Sequence, residues 1–299
     1  MQQLLTYLLP WEFSPTVCLV CLLSAVFYVR GLAVLARAGT PVGIIRVLSF
    51  TLGLLLMYGS LQTYFDYLSA HMFWVHRLQH LFLHHLAPVL LVLSAPGAAL
   101  AAGMPAGLRS RCQRFYASQG WLQLAVRVLQ GPVVAPVLFI GLVFFWLTPS
   151  IHFTAMIDSD RYRAMNWSMA IDGILFWWLI LAPRSTQGKT AVGYPLRVLL
   201  LISVTVPQIL LGAHITLHKT PLFDVYGVCG RAWAISPMDD QQIGGLLTWI
   251  PPAMMTGIGI LLVLRMLLNE TRQADARLAS ARPAATPTPP APLLTQGYQ

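Results

Sequence analysis

The sequence is short of charge. Only 10% of its 299 residues are Asp, Glu, Lys or Arg, and only ten are acidic. A soluble domain carries about 25% charged residues, so a water-exposed globular fold is excluded. Cysteine is scarce as well: four residues, widely scattered, do not make a disulfide framework. The first dozen residues, Met1 to Glu12, contain no Lys or Arg, which leaves no basic start for a cleavable signal peptide. No phosphate-cradling glycine loop, nucleophile triad or acid–base pair is visible, so nothing argues for an NTPase or a hydrolase. The net charge of +9 would suit nucleic acid, but the basic residues fall between apolar runs. There they read as an orientation signal and not as a binding surface, and no nucleic-acid partner is expected.

What the chain has is length in its hydrophobic runs. Hydrophobic residues make up 57% of it and mean hydropathy is +0.66. Seven segments are long enough to span a bilayer: Phe13–Ala36, Ile44–Tyr67, His71–Leu100, Trp121–Pro149, Met165–Ala182, Tyr194–His218 and Ile243–Leu268. Glycine and proline punctuate the gaps, as in Gly39-Thr-Pro41 and Gly103-Met-Pro105. The expectation is an all-α polytopic membrane protein of about seven transmembrane helices. Residues 1–270 form the membrane domain, and the Ala/Pro/Thr-rich residues 271–299 read as a disordered cytoplasmic tail.

Alternate gaps divide the basic residues unequally. One side collects 14 of the 19, among them Arg30, Arg37, Arg46, Arg109, Arg111, Arg114 and Arg265; the other holds Arg77, Arg161, Arg163, Lys219 and Arg231. The positive-inside rule places the larger set in the cytoplasm, so the N-terminus lies outside and the C-terminus inside. An odd number of spans agrees. The protein is expected in a bacterial cytoplasmic (inner) membrane, crossing it several times.

Five of the eight histidines, His71, His76, His80, His84 and His85, fall within fifteen residues of the third span. At about 100° per residue, His76, His80 and His84 form one stripe, with His71 and His85 on the other side. Imidazoles four residues apart reach one metal ion, and polar groups in lipid mark functional sites by default. The competing reading is that each imidazole bonds a neighbouring helix. Pro88 collides with the carbonyl of His84, so a kink is expected there, with the freed carbonyl and the imidazoles lining a small polar cavity. On the predicted topology every histidine lies in the outer half, including His152, His214 and His218. His214 and His218 share a face and would present a second pair towards His76 and His80. The expected metal ligands are His76, His80, His84, His71, His152, His214, His218 and Met72. Met156, Met165 and Cys229 share that half, and soft sulfur beside imidazole suits copper as Cu(I); zinc ranks below it. Cys18 and Cys21 form an (i, i+3) pair in the first span, more often packing than chemistry. Asp239 and Asp240 precede an apolar run and would either cap the last span or serve beside the outer site.

Two motifs carry a resemblance. His76-Arg-Leu-Gln-His80 with Ala87-Pro88 to Ala95-Pro96 resembles the HMxQH helix of the CtaG-like membrane family of cytochrome c oxidase assembly factors. Asp240-Gln241-Gln242-Ile243-Gly244-Gly245 with Trp249-Ile250-Pro251 is similar to that family's DQQxxG…WxP stretch. The resemblance covers about Tyr58 to Leu268. It implies a role without turnover in maturing haem–copper oxidase, forming or delivering a copper centre. The partners it implies are oxidase subunits and a periplasmic copper chaperone. The chain departs from the family pattern twice. Trp146-Leu147-Thr148-Pro149 stands for WHxP, and Tyr162-Arg-Ala-Met-Asn166 stands where the family has a second HxxxH. Two alternatives stay open on the residues alone: a histidine-box di-iron membrane oxidoreductase, and a copper transporter.

Overall fold

The structure, a computed structural model, describes residues 12–183, 187 and 191–281. It is helical, with no strand among the described residues. The chain divides into two compact units, Met1–Val263 and Leu264–Gln299. In chain order the helices are α1 (Pro15–Arg37), α2 (Ile44–Gln62), α3 (Tyr64–His71), α4 (Phe73–Leu81), a π turn (Phe82–Leu86), α5 (Ala87–Leu93), α6 (Gly97–Gly103), α7 (Ala106–Ser118), α8 (Gly120–Leu129), α9 (Val134–Trp146), α10 (Pro149–Ile157), α11 (Ser159–Leu181), α12 (Tyr194–Leu217), α13 (Val225–Val228) and α14 (Pro237–Ala281).

Among the described residues, five helices are long and apolar enough to cross a membrane: α1, α2, α11, α12 and α14. Two more crossings arise if bent pairs are taken as single spans, Phe73–Leu93 with α6 at 74° and α8 with α9 at 71°. The bends have local causes. Ala95 takes a left-handed conformation (φ 46°) immediately before Pro96, which stops α5 and turns the chain into α6. Between α8 and α9 the break falls on Gly131-Pro132.

Other boundaries moved too. The second span ends at Gln62 and not at Tyr67, because Thr63 is extended and its Oγ accepts from Phe65 N at 3.3 Å, starting a new helix. α14 runs on to Ala281 through 271–281, where the sequence reading placed the start of the tail. That stretch holds four Ala and two Arg, which propagate a helix well. The remainder of that tail, 282–299, and the basic residues Arg184 and Lys189 lie outside the described residues.

Packing is closest where side chains vanish. A Cβ on Gly31 would sit 1.8 Å from the Ala99 carbonyl oxygen, and one on Gly103 would sit 1.8 Å from that of Phe27. α1 and α6 therefore cross backbone to backbone, as small residues permit in membranes.

Candidate functional site

α4 is the element the site is built on, and its N-terminus is held from a distance. Met72 is extended (φ −142°) and separates α3 from α4. The first free amides of α4 are taken by Asp240 of α14: Trp74 N donates to Oδ1 at 2.9 Å and Phe73 N to Oδ2 at 3.2 Å. The Arg231 guanidinium lies 3.4 Å from the same carboxylate. One turn on, Gly244 leaves room for the Phe73 ring, which a Cβ would approach to 2.3 Å. Gln241 donates to the Ile215 and Thr220 carbonyls, each at 3.2 Å, and accepts from Leu222 N at 2.6 Å. The two sequence motifs are thus one structural unit, the second holding the first in place.

The sequence reading had both acids capping their own helix. Neither does: the start of α14 is capped by Ser236, whose Oγ accepts from Asp239 N at 3.1 Å and donates to the Asp239 carboxylate at 2.7 Å, and Asp240 caps α4. Asp240→Ala is expected to cost about 0.5–2 kcal/mol, the usual worth of an N-cap, and to leave Arg231 without its counter-charge. Thermal unfolding of purified Asp240→Ala and Asp240→Asn checks this, with the Asn variant, still an acceptor, losing less.

On the inner face of α4 the His76 and His80 rings lie 4.3 Å apart, centroid to centroid. They are 0% and 2% exposed. All four of their ring nitrogens are buried without a hydrogen-bond partner. His152 of α10 stands edge-on to His76 at 5.1 Å, but it is already committed. Its Nδ1 donates to the Trp146 carbonyl at 3.0 Å, which leaves Nε2 to accept from the Tyr226 hydroxyl at 2.9 Å. Asn166 of α11, 3% exposed, approaches both the His80 ring and the Tyr162 hydroxyl, and its Oδ1 makes no close, well-aligned hydrogen bond. Among the described residues no three His, Cys, Asp or Glu side chains converge on one point that would hold a metal ion. The centre is therefore an imidazole pair with an amide oxygen nearby. An unpartnered buried polar atom costs about 1–3 kcal/mol, so the four ring nitrogens are a cost the fold carries at this point.

The other expected ligands are elsewhere. His84 and His85 lie in the π turn, where Ala87 N bonds the Phe82 carbonyl. That turn takes His84 off the stripe: its Nε2 meets Asp172 Oδ2 at 3.2 Å and its ring stacks on Phe139 at 3.9 Å. His85 Nε2 lies 3.4 Å from Gln208 Nε2. The His84 carbonyl freed by Pro88 does not line a polar cavity. It lies against Gly173, where a Cβ would come within 2.6 Å. His71 packs on Tyr67 at 4.1 Å and bonds the Tyr67 carbonyl through Nδ1 at 2.8 Å. His214 and His218 face each other at 5.4 Å beside Lys219 in a surface hollow. They do not turn towards His76, because the buried face of α12 is the Val204–Gln208–Gly212–Ile215 stripe. Met72 is fully buried, one turn before His76.

Sequence reasoning missed a polar network beside the pair. The Tyr162 hydroxyl donates to Asp66 Oδ1 at 2.8 Å, and Ser69 Oγ lies 2.7 Å from it. Gln79 Nε2 donates to Asp66 Oδ1 and to the Ser60 carbonyl, both at 2.7 Å. It missed Asp172 as well, although an acid inside a membrane span is a functional candidate on its own. α3 lies outside the spanning helices, and there burial pushes the Asp66 carboxyl up to about 6, against the bonds from Tyr162 and Gln79 that lower it. A carboxyl raised in the fold stabilises below its unfolded value of 3.8, and that contribution is lost as pH rises through about 6. The melting temperature in detergent is expected to fall as pH rises across that window, and Asp66→Asn to flatten the fall.

Residues 26–270 match the family described as cytochrome c oxidase caa3 assembly factor, Caa3_CtaG. An uncharacterized protein of Mycobacterium bovis and one of Mycobacterium tuberculosis are each 30% identical over 282 residues, and one of Mycobacterium leprae is 27% identical over 280. Each alignment covers 90% of this chain and 40% of the relative, so the chain spans about 40% of the length of these proteins. No solved structure matches the chain. With the family's matched region enclosing α2 to α12, the imidazole pair and the Asp240 segment that positions it, the chain belongs to the cytochrome c oxidase caa3 assembly factor family.

Proposed function

We propose that the protein acts in the assembly of cytochrome c oxidase by holding a copper ion between His76 and His80 on its way to an oxidase copper centre. The observation that carries this reading is the set of four buried, unpartnered ring nitrogens. A neutral imidazole offers one lone pair to a metal, and two rings at 4.3 Å offer two. Structural zinc takes four ligands, which this pair and Asn166 underfill. Cu(I) accepts fewer ligands, and imidazole suits it. Met72, buried one turn away, is the sulfur ligand this reading would add.

The reading also carries the predicted orientation, with the N-terminus and the His76 end of the bundle outside a bacterial inner membrane. Alkaline phosphatase fused near Asp158 should be active and a fusion near Arg111 inactive. The reverse pattern would contradict it. In a deletion strain, oxidase activity should fall and recover in part with added copper. Activity equal to the parent strain's without supplement would argue against any role in oxidase copper.

A further inference from the structure

α1 and α2 lie side by side without filling the space between them. A groove of about 500 Å³ runs between them, with Cys21 and Ala25 on one wall and Thr51 and Leu54 on the other. That volume falls inside the range of about 300–1,000 Å³ usual for small-ligand sites. The groove is lined almost wholly by apolar groups, and the side chains at its edge, Leu22, Val29 and Leu55, are exposed, so it opens outward on two helices long enough to span a bilayer. Near one end Tyr28 stacks on Phe50, ring centroids 3.8 Å apart. We propose that this groove seats one acyl chain of an anionic phospholipid, with the lipid phosphate on Arg46 at the Tyr28 end. The site is separate from the histidine pair and does not depend on the copper reading.

Three observations converge on that occupant. The first is length. On α1 the lining runs from Cys18 to Val29, eleven residues on, which is about 16 Å at 1.5 Å per residue. A hydrocarbon core is about 30 Å thick, so the groove matches a chain from one leaflet. The second is charge. The Tyr28 hydroxyl donates to the Arg46 carbonyl at 3.5 Å, and Arg46 lies close enough for its charge to act on that hydroxyl. Arg46 is exposed in the first turn of α2, at the level where a spanning helix meets headgroups. Residues 13–65 hold Arg30, Arg37 and Arg46 and no Asp or Glu, so neither helix neutralises the guanidinium. A phosphate does, through paired N–H bonds, and a headgroup with no cation of its own suits the local positive excess. The third is that the groove is held open. Gln62 donates to the Glu12 carbonyl at 2.8 Å and accepts from Ser14 N at 3.2 Å, and further along α1 Gly31 lies against Ala99. With α1 fixed at both places, a lipid chain completes the contact that the side chains leave unmade.

A second apolar cavity, about 270 Å³, lies on the other side of α1 against Leu91, Trp167 and Trp178. It has no basic residue in its lining and so nothing to hold a headgroup. The combination of an apolar channel and an unneutralised guanidinium at its end singles out the groove between α1 and α2.

The test places the full chain in nanodiscs of phosphatidylcholine doped with a small fraction of a photoreactive lipid, either phosphatidylglycerol or phosphatidylcholine carrying a diazirine in its acyl chain. After irradiation the adducts are located by peptide mass spectrometry. Phosphatidylglycerol adducts should concentrate on groove residues such as Ala25 and Leu55 and exceed those of phosphatidylcholine by about fivefold, the worth of one Arg beside anionic lipid. Arg46→Gln, a change at an exposed position, should bring the two lipids level, and Arg46→Lys should keep most of the preference. Ala25→Phe, which fills the groove and leaves Arg46 in place, should remove the adducts of both. Equal labelling by the two lipids in the unsubstituted protein, or a preference that survives Arg46→Gln, would overturn the site. A groove left unlabelled in nanodiscs that hold two copies of the chain would overturn it as well, assigning the groove to a second copy.

Discussion

Replacing His76 and His80 together by alanine is expected to strip the protein of copper and to leave oxidase activity at the level of a deletion strain. The two side chains supply every imidazole nitrogen at the centre that the fold itself does not use. Loss of an outer-shell partner alone costs a metal site about 10–100-fold, so loss of both direct ligands should exceed that. The folding control is favourable. Neither ring makes a close, well-aligned hydrogen bond, Asn166 being the polar side chain that approaches His80, so the substitution removes poorly satisfied polar atoms and leaves cavities, two terms of opposite sign. Normal expression with no copper is the expected pair of results; normal expression with full copper and full oxidase activity would make the histidines structural. Metal content and oxidase assays of the complemented strain provide the check.

Asn166→His is expected to act in the opposite direction. The resemblance to the family implies a second HxxxH whose last histidine falls at Asn166 in this chain, and the structure sets Asn166 beside His80. An imidazole there would give the pair a third nitrogen ligand in place of an amide oxygen. Copper should bind more tightly by at least about tenfold, the low end of what even an outer-shell partner contributes. The paired position, Tyr162, is left alone, because its hydroxyl is bonded to Asp66 and Ser69 and a substitution there would break that network. A chelator competition titration of Asn166→His against the unsubstituted protein measures the difference. Unchanged affinity would mean that position 166 does not face the bound ion.

The long apolar runs and the paired histidines at positions 76 and 80 were legible in the sequence, because both depend only on local periodicity. The bends were not. Hydropathy runs unbroken through Ala95-Pro96, and only the backbone records that Ala95 is left-handed. On a regular α-helix His84 continues the stripe; the π turn at Phe82–Leu86 changes the angle per residue where the third histidine falls. His214 and His218 do share a face of their helix, but which face turns inward is decided by packing partners such as Trp249 against Gly212. Asp240 could be read as a cap from its position before an apolar run. That it caps a helix 166 residues away, through Trp74 N, depends on tertiary contact that no local signal encodes. The site thus came through as residue types, and its grouping only through the fold.

The most direct test of the central claim is X-ray absorption at the copper edge of the copper-loaded protein. A copper ion held by His76 and His80 predicts the multiple-scattering signature of two imidazoles, present in the unsubstituted protein and lost with His76→Ala and His80→Ala. A copper shell of sulfur alone, or an imidazole signature that persists in the double variant, would contradict it.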